Sequence, residues 1–337
     1  MFMAESPTLR LPAGMRDYAP DAAAARRRVV DAVLEVFERR GFARVITPAF
    51  EYEEVLALGL GGAARAATVR FVEPSSGQVV ALRPDITPQI ARLIATRYRN
   101  HQGPVRLCYE GTVVRLERAA RGQRELIQAG VELAGVPGPE GDADMIALAV
   151  EALAAIGLPR PTVDLGHLGL AREVLSALEL PEPALEEARR RIAKRDGAGL
   201  EAVLRSARGS KPAVAFARLL PELSGGPDVL EAAQKKAPAG GVRRALKELG
   251  AIVAAVGKRR LDARLHVDLG EVRGFDYYTG VRFQAFVPGA ADAVLAGGRY
   301  DDLLGRYGRP MPAVGFAIDV DASVNALPAD PKARARS

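Results

Sequence analysis

The apolar positions of this chain recur with two periods. Val30, Val33, Leu34 and Phe37 repeat every three to four residues and predict a helix that opens at Pro20 and Asp21 and closes at Gly41. Between Val105 and Val136 the period drops to two. Leu107, Tyr109 and Val113 mark the apolar side of one long strand, Arg118 to Gly122 supply a basic turn, and Leu126, Gln128, Gly130 and Glu132 share one face of a second. Further strands are predicted at Arg44 to Thr47, Thr162 to Leu165, Leu265 to Leu269, Val281 to Phe286 and Pro312 to Ile318, with a hairpin formed by Val69 to Glu73 and Gln78 to Leu82.

Helices are predicted at Glu51 to Leu58, at Asp142 to Ile156, and from Thr87 as N-cap with Pro88 at the first position and Ile90, Leu93 and Ile94 on the buried side. Gly59 to Ala67 reads as a poorly ordered loop, and Met1 to Arg10 as a mobile tail. From about Leu168 to Val256 the pattern is helical, Ala-rich and repeatedly broken by Pro and Gly, with charges typical of solvated faces.

Polar residues stand where a sheet face should be apolar. Gln128 and Glu132 on one strand face make a poor core and a good ligand floor, and Arg115 on the opposite arm can grip a carboxylate or phosphate in bidentate fashion. Asp85 and Thr87 sit at a strand-to-helix junction beside free backbone amides, a place equally suited to capping and to holding an ammonium group. Arg273, Tyr277 and Tyr278 bring a cation, hydroxyl groups and a planar apolar wall within one short segment, and the glycines of Ala296 to Asp301 allow either a tight turn or close approach of backbone to a ligand.

Composition narrows the class. With 337 residues, 48% hydrophobic and 26% charged, the chain can bury a sizeable core, and it contains no apolar run long enough to span a bilayer. The formal charge of +6 comes from scattered Arg rather than a dense basic run, and 5% aromatic residues without Trp argue against a single-strand stacking platform. The lone Cys108, inside a predicted strand, excludes an intramolecular disulfide, fits a reducing cytoplasm and reads as a small buried hydrophobe. No secretory signal is read at the N-terminus. Phosphate-loop, HExxH, paired CxxC and GxSxG motifs are missing, and three widely spaced histidines leave little material for a metal site or a Ser/His triad. No cofactor is expected.

Taken in order from about Leu11 to Leu327, these pieces resemble the class II aminoacyl-tRNA synthetase core, specifically that of histidyl-tRNA synthetase. LRPDIT resembles the strand-to-helix motif that holds an α-amino group, with Asp85 where the family has Glu. Arg115 and Glu117 fall on the Arg-x-Glu of the second class motif, Gln128 and Glu132 on side-chain-reading positions, and VRGFDYYTG resembles the histidine-specific RGLDYY segment. The resemblance implies an α+β fold, a mostly antiparallel sheet flanked by helices, split as 1–167 and 257–327 around an inserted helical subdomain at 168–256, with 328–337 a disordered tail. It also implies a pocket for free histidine: Asp85, Thr87 and Gln128 at the ammonium end, Glu132, Tyr277 and Tyr278 at the imidazole, Arg115 and Arg273 at the carboxylate. Self-association through the first class motif, here around Arg40 to Pro48, is implied as well.

The departures carry as much information. Where the family ends its third motif with Gly-Leu-Glu-Arg, this chain has Asp319 at the Gly position and Ala322 at the Arg position, which removes a phosphate-binding cation and adds a carboxylate. The RAARGQRE loop departs from the family's pattern, and no anticodon-binding domain is expected after the third motif. That combination is similar to the synthetase-like regulatory subunits of ATP phosphoribosyltransferase, which join a short-form catalytic subunit in the first step of histidine biosynthesis. It implies a noncatalytic, cytoplasmic member of a hetero-oligomer that binds histidine for feedback inhibition. A truncated enzyme that still activates histidine with ATP is the alternative. An RNA-binding module, drawn only from net charge, would show steeply salt-dependent tRNA binding, and tRNA is not an expected partner.

Overall fold

The computed structural model describes residues 10–116, 122–274 and 277–328. Glu117 and most of the basic turn, Phe275, Asp276 and the two expected tails from Met1 and after Pro328 therefore fall, wholly or nearly so, outside the described residues. A long helix α1 (Pro20–Arg39) opens the fold, presenting Val29, Val30, Val33, Leu34, Val36 and Phe37 to the core as its spacing predicts. β1 (Ala43–Val45) follows. β2 (Phe50–Tyr52), α2 (Glu53–Gly59), α3 (Gly62–Ala66), β3 (Arg70–Val72) and β4 (Val79–Leu82) then build a three-stranded sheet of order β2-β4-β3 with two helices beside it. The stretch read as a poorly ordered loop, Gly59 to Ala67, thus contains the short helix α3, where the Ala and Arg residues that follow Gly62 are good helix formers.

After α4 (Thr87–Arg97) come the two long arms β5 (Val105–Val114) and β6 (Glu125–Ala134), paired antiparallel along their whole length with Tyr109 opposite Gly130 and Leu107 opposite Glu132. α5 (Gly138–Ala155) and β7 (Thr162–His167) lead into a helical stretch, α6 (Leu168–Ser176), α7 (Glu182–Ala193), α8 (Gly197–Leu204), α9 (Lys211–Leu219), the short β8 (Ser224–Gly225), α10 (Val229–Lys236) and α11 (Gly241–Lys258). The sheet resumes with β9 (Arg264–Asp268), β10 (Val281–Phe286), β11 (Leu295–Arg299) and, after α12 (Leu303–Arg306), β12 (Ala313–Asp319), and the described chain closes with α13 (Val320–Ala326).

These strands form one nine-stranded sheet of order β1-β5-β6-β12-β11-β10-β7-β9-β8. Its pairings are antiparallel except β1 with β5 and β7 with β9. One face is covered by α1, α5 and α11, and the helical stretch shares a continuous hydrophobic core with that face. The other face carries a second, smaller cluster in which Leu107, Tyr109, Val113 and Leu126 meet Ile86, Ile90 and Ile94 at and beyond the start of α4. This smaller cluster leaves room above β6 and β12 for a cavity. Among the described residues no helix is long and apolar enough to cross a membrane.

Candidate ligand cavity

A cavity of about 450 Å³ opens on the face of β6, β12, β11 and β10, closed at one end by the Asp85–Thr87 junction and on the side by Arg273, Tyr277 and Tyr278. Seven of the eight residues picked out from the sequence line it: Asp85, Thr87, Arg115, Gln128, Arg273, Tyr277 and Tyr278. Glu132, the eighth, lies one layer deeper beside Thr87 and Tyr300. The sheet explains the convergence, because a two-residue repeat along β6 turns Leu126, Gln128, Gly130 and Glu132 to one side, and Asp319 of β12 pairs with Gln128 in register.

The strand-to-helix junction differs from the expected cap. Ile86 occupies the N-cap of α4 without a side-chain bond, and Asp85 takes over, its Oδ1 accepting from the Thr87 amide at 3.2 Å and from the Thr87 hydroxyl at 3.3 Å. A short acid two residues upstream reaches forward to the Thr87 amide in an Asx turn.

Glu132 is the electrostatic centre. Its Oε1 accepts from the Tyr109 hydroxyl at 3.3 Å across the hairpin. Burial pushes its carboxyl well above the usual range, the nearby charge of Asp85 adds to the rise, and the hydrogen bond from Tyr109 pulls it partly back. Two glycines make this placement possible. A Cβ on Gly315, directly opposite Glu132, would stand 1.8 Å from Glu132 Oε2, and one on Gly130 would stand 2.5 Å from the Tyr109 hydroxyl oxygen.

Glu132 Oε2, Gln128 Oε1, Tyr277 OH and Tyr300 OH are buried and have no hydrogen-bond partner; among the described residues only seven side-chain atoms share that condition, so four concentrate here. Buried polar groups are ordinarily paired, so these four atoms leave hydrogen-bonding capacity open to a polar ligand. Tyr277 packs edge-on to Tyr278 with ring centroids 4.9 Å apart and tilted against Tyr300 at 5.3 Å, a rigid aromatic wall.

The two arginines are held differently. Arg115 gives its Nε proton to the Pro84 carbonyl at 2.8 Å, and its charge reaches Asp319. Arg273 is forked onto Glu271, 2.9 Å from Nε to Oε1 and 2.7 Å from Nη2 to Oε2, while Arg282 reaches the same carboxylate at 2.5 Å. Burial works against the Glu271 anion, yet the bonds from Arg273 and the charge of Arg282 hold its carboxyl below the usual range. Arg273 therefore borders the cavity already engaged, with Glu271 as a partner that sequence reasoning passed over although the acid stands two residues before it.

Asp319 also lines the cavity, but its Oδ1 accepts from the Ala322 amide at 2.8 Å and so caps α13. Burial raises its carboxyl while that amide lowers it. Tyr109 and Tyr300 were likewise missed as polar groups. Each reads in sequence as an apolar or turn residue, and only the glycine opposite reveals where its hydroxyl points. Cys108 is fully buried, and burial pushes its thiol up to about 11, as expected of an inert core residue. Among the described residues no group of three or more His, Cys, Asp or Glu is arranged to hold a metal ion.

Comparison with known proteins gives the architecture its place. The histidyl-tRNA synthetase family profile matches residues 14–322. The fold superposes on a Bacillus halodurans structure described as an ATP phosphoribosyltransferase regulatory subunit/histidyl-tRNA synthetase, with a TM-score of 0.87, 28% identity and coverage of 96% of this chain and 84% of that one. It also superposes on histidyl-tRNA synthetase from Nostoc, with a TM-score of 0.77 at 21% identity over 94% of this chain and 74% of that one, a likeness of fold alone. Sheet, hairpin and cavity thus define a class II synthetase-like core of the histidyl-tRNA synthetase type.

Sequence relatives are more specific. The ATP phosphoribosyltransferase regulatory subunit of Geobacter sulfurreducens is 41% identical over 96% of this chain and 74% of its own length, and that of Anaeromyxobacter dehalogenans is 44% identical over 95% and 91%. The chain belongs to the family of ATP phosphoribosyltransferase regulatory subunits, within histidine biosynthesis.

Proposed function

We propose that this chain is a noncatalytic, cytoplasmic regulatory subunit that joins the short-form catalytic subunit of ATP phosphoribosyltransferase and binds free L-histidine as the feedback signal. One observation carries this reading. At the register pair Gln128–Asp319, the amide oxygen on one strand is unpaired and available to a ligand, whereas the carboxylate on the other is committed to the Ala322 amide. Gln128 keeps a group free to meet an amino acid. Beside it, a backbone N–H that could meet a phosphate oxygen is already taken by an anion.

Histidine fits the chemistry of the wall. Its ammonium faces Asp85, Thr87 and Gln128, its carboxylate faces Arg115 with Arg273 at the rim, and its ring lies against Tyr277 and Tyr278 within reach of Glu132. Selectivity follows because a side chain without ring nitrogens leaves Glu132 and the tyrosine hydroxyls unpaired in a buried place. Histidine need only favour one quaternary state of the assembly, and a coupling of roughly 1–3 kcal/mol suffices. Self-association is supported by an exposed apolar face near the first class motif, where Ile46 is 83% exposed and Phe50, Tyr52 and Phe71 stand in the open on the small sheet.

The competing reading, an enzyme that activates histidine with ATP, draws on the cavity-lining Arg115 and Arg273. Reconstitution separates the two. Phosphoribosyl transfer should require both subunits and fall on addition of histidine, and the isolated chain should give no ATP–pyrophosphate exchange. Activity indifferent to histidine, or robust exchange by this chain alone, would overturn the proposal.

A further inference from the structure

The segment 269–280 carries Arg273, Tyr277 and Tyr278 into the cavity, and the helical stretch between β7 and β9 ties it down near both ends. Near its far end, Arg172 of α6 donates to the Tyr278 carbonyl. Near its start, the Leu269 amide donates to the Leu223 carbonyl at 2.9 Å, and Asp268, just before it, accepts from the Gly270 amide at 3.0 Å through Oδ1 and from Arg195 Nη2 at 2.9 Å through Oδ2. Arg195 also reaches the Ser224 hydroxyl at 2.6 Å and the Pro221 carbonyl at 3.3 Å.

Arg195 stands just past the C-terminus of α7 with φ of 54°, the left-handed position that helix ends ordinarily give to Gly or Asn. A long side chain at such a position is unfavourable unless something fixes it. Among the described residues Arg160, Glu179 and Arg260 also have positive φ, and the side chain of Arg160 meets the exposed Asp262. Arg195 instead binds three groups on two sides of the junction, and its carboxylate partner Asp268 is largely buried.

We propose that Arg195, acting through Asp268, is a positioning residue for the ligand cavity: it fixes the start of segment 269–280 and hence the aim of Arg273, Tyr277 and Tyr278, without touching ligand. The helical stretch then does more than fill space, since any partner that shifts the α7–α8 turn alters histidine affinity, and histidine in turn stiffens that turn. This rests on the histidine reading of the cavity for its affinity readout but not for its structural one.

The test is a double-mutant cycle with Arg195→Ala and Asp268→Asn, read by calorimetric histidine titration and by hydrogen exchange of the ligand-free protein, with Arg218→Ala on the exposed face of α9 as control. Asn keeps the acceptor for the Gly270 amide and removes the charge that Arg195 binds. Each single variant should weaken histidine by roughly five- to tenfold, part of the worth of one charge-assisted hydrogen bond because the residue acts through another, with the double variant no weaker than either. Amides of 269–274 should exchange faster in both variants and not in the control. Wild-type affinity in either single variant, or additive losses in the double, would overturn the proposal. If wild type itself fails to bind histidine, the reading of the cavity falls while exchange still decides this one: unchanged protection of 269–274 in Arg195→Ala refutes it. Should Arg195→Ala fail to fold, Asp268→Asn alone carries the same readouts.

Discussion

Asp319 Oδ1 accepts a hydrogen bond from the Ala322 amide at 2.8 Å, so the two residues that depart most from the synthetase pattern are bonded to each other. The acid serves as the N-cap of α13 and places a negative charge at the positive end of that helix. Removing it as Asp319→Ala should destabilise the protein by about 1 kcal/mol, the usual worth of such a cap. Urea unfolding with an unchanged midpoint would show that the bond contributes nothing.

A second acid two residues on is held more strongly. Asp321 is buried and accepts from Arg26 Nε at 2.7 Å, from the Tyr18 hydroxyl at 2.9 Å and from the Ile127 amide at 3.4 Å, joining α1, α13 and β6 beside the cavity floor. Asp321→Ala leaves Arg26 as a buried unpaired cation, and a loss of about 3–5 kcal/mol is expected in denaturant unfolding. A loss below about 1 kcal/mol would mean that water or a shifted side chain replaces the carboxylate.

Glu132 predicts a pH dependence with a definite sign. Because its folded-state carboxyl titrates above the unfolded value of about 4.3, its favourable contribution is complete below that pH and is lost as pH rises through the folded value. Glu132→Gln has the same shape and does not titrate. Thermal unfolding without histidine should therefore show the variant gaining on wild type as pH rises from about 4.3. Parallel curves would contradict the burial of this group.

Gly315 leaves no space for a side chain, since a Cβ there meets Glu132 Oε2 at 1.8 Å, the Val131 carbonyl oxygen at 2.5 Å and the Tyr300 hydroxyl at 2.6 Å. Gly315→Ala should cost roughly 1–3 kcal/mol and displace Glu132. Histidine titration of a folded Gly315→Ala sample should give little or no heat, and wild-type affinity would show that Glu132 is not part of the recognition surface.

Much of this was legible in the residues. The alternation around Gln128, the paired tyrosines and the Asp85–Thr87 junction all reach one cavity wall, with Glu132 one layer deeper, because period-two patterning and turn chemistry are local properties. What escaped depends on partners distant in sequence. β11 reads as a glycine turn because Gly297 and Gly298 lower strand propensity, yet these glycines are required: a Cβ on Gly297 would meet the Gly315 carbonyl and Phe316, and one on Gly298 the Val281 carbonyl and Tyr278. The same holds for Arg273, whose residue type promises a free carboxylate clamp but whose guanidinium is shared with Glu271. α13 escaped because its capping acid lies at the end of a strand, where sequence alone reads only the strand.

The proposed histidine wall stands beside a helix start whose Ala322 amide is capped by Asp319. Calorimetric titration of the isolated chain with L-histidine and, separately, with ATP measures both halves at once. Saturable heat with histidine that is strongly reduced in Arg115→Ala, together with no heat from ATP, is the predicted result. Tight ATP binding, or no histidine binding by the folded wild-type protein, would contradict it.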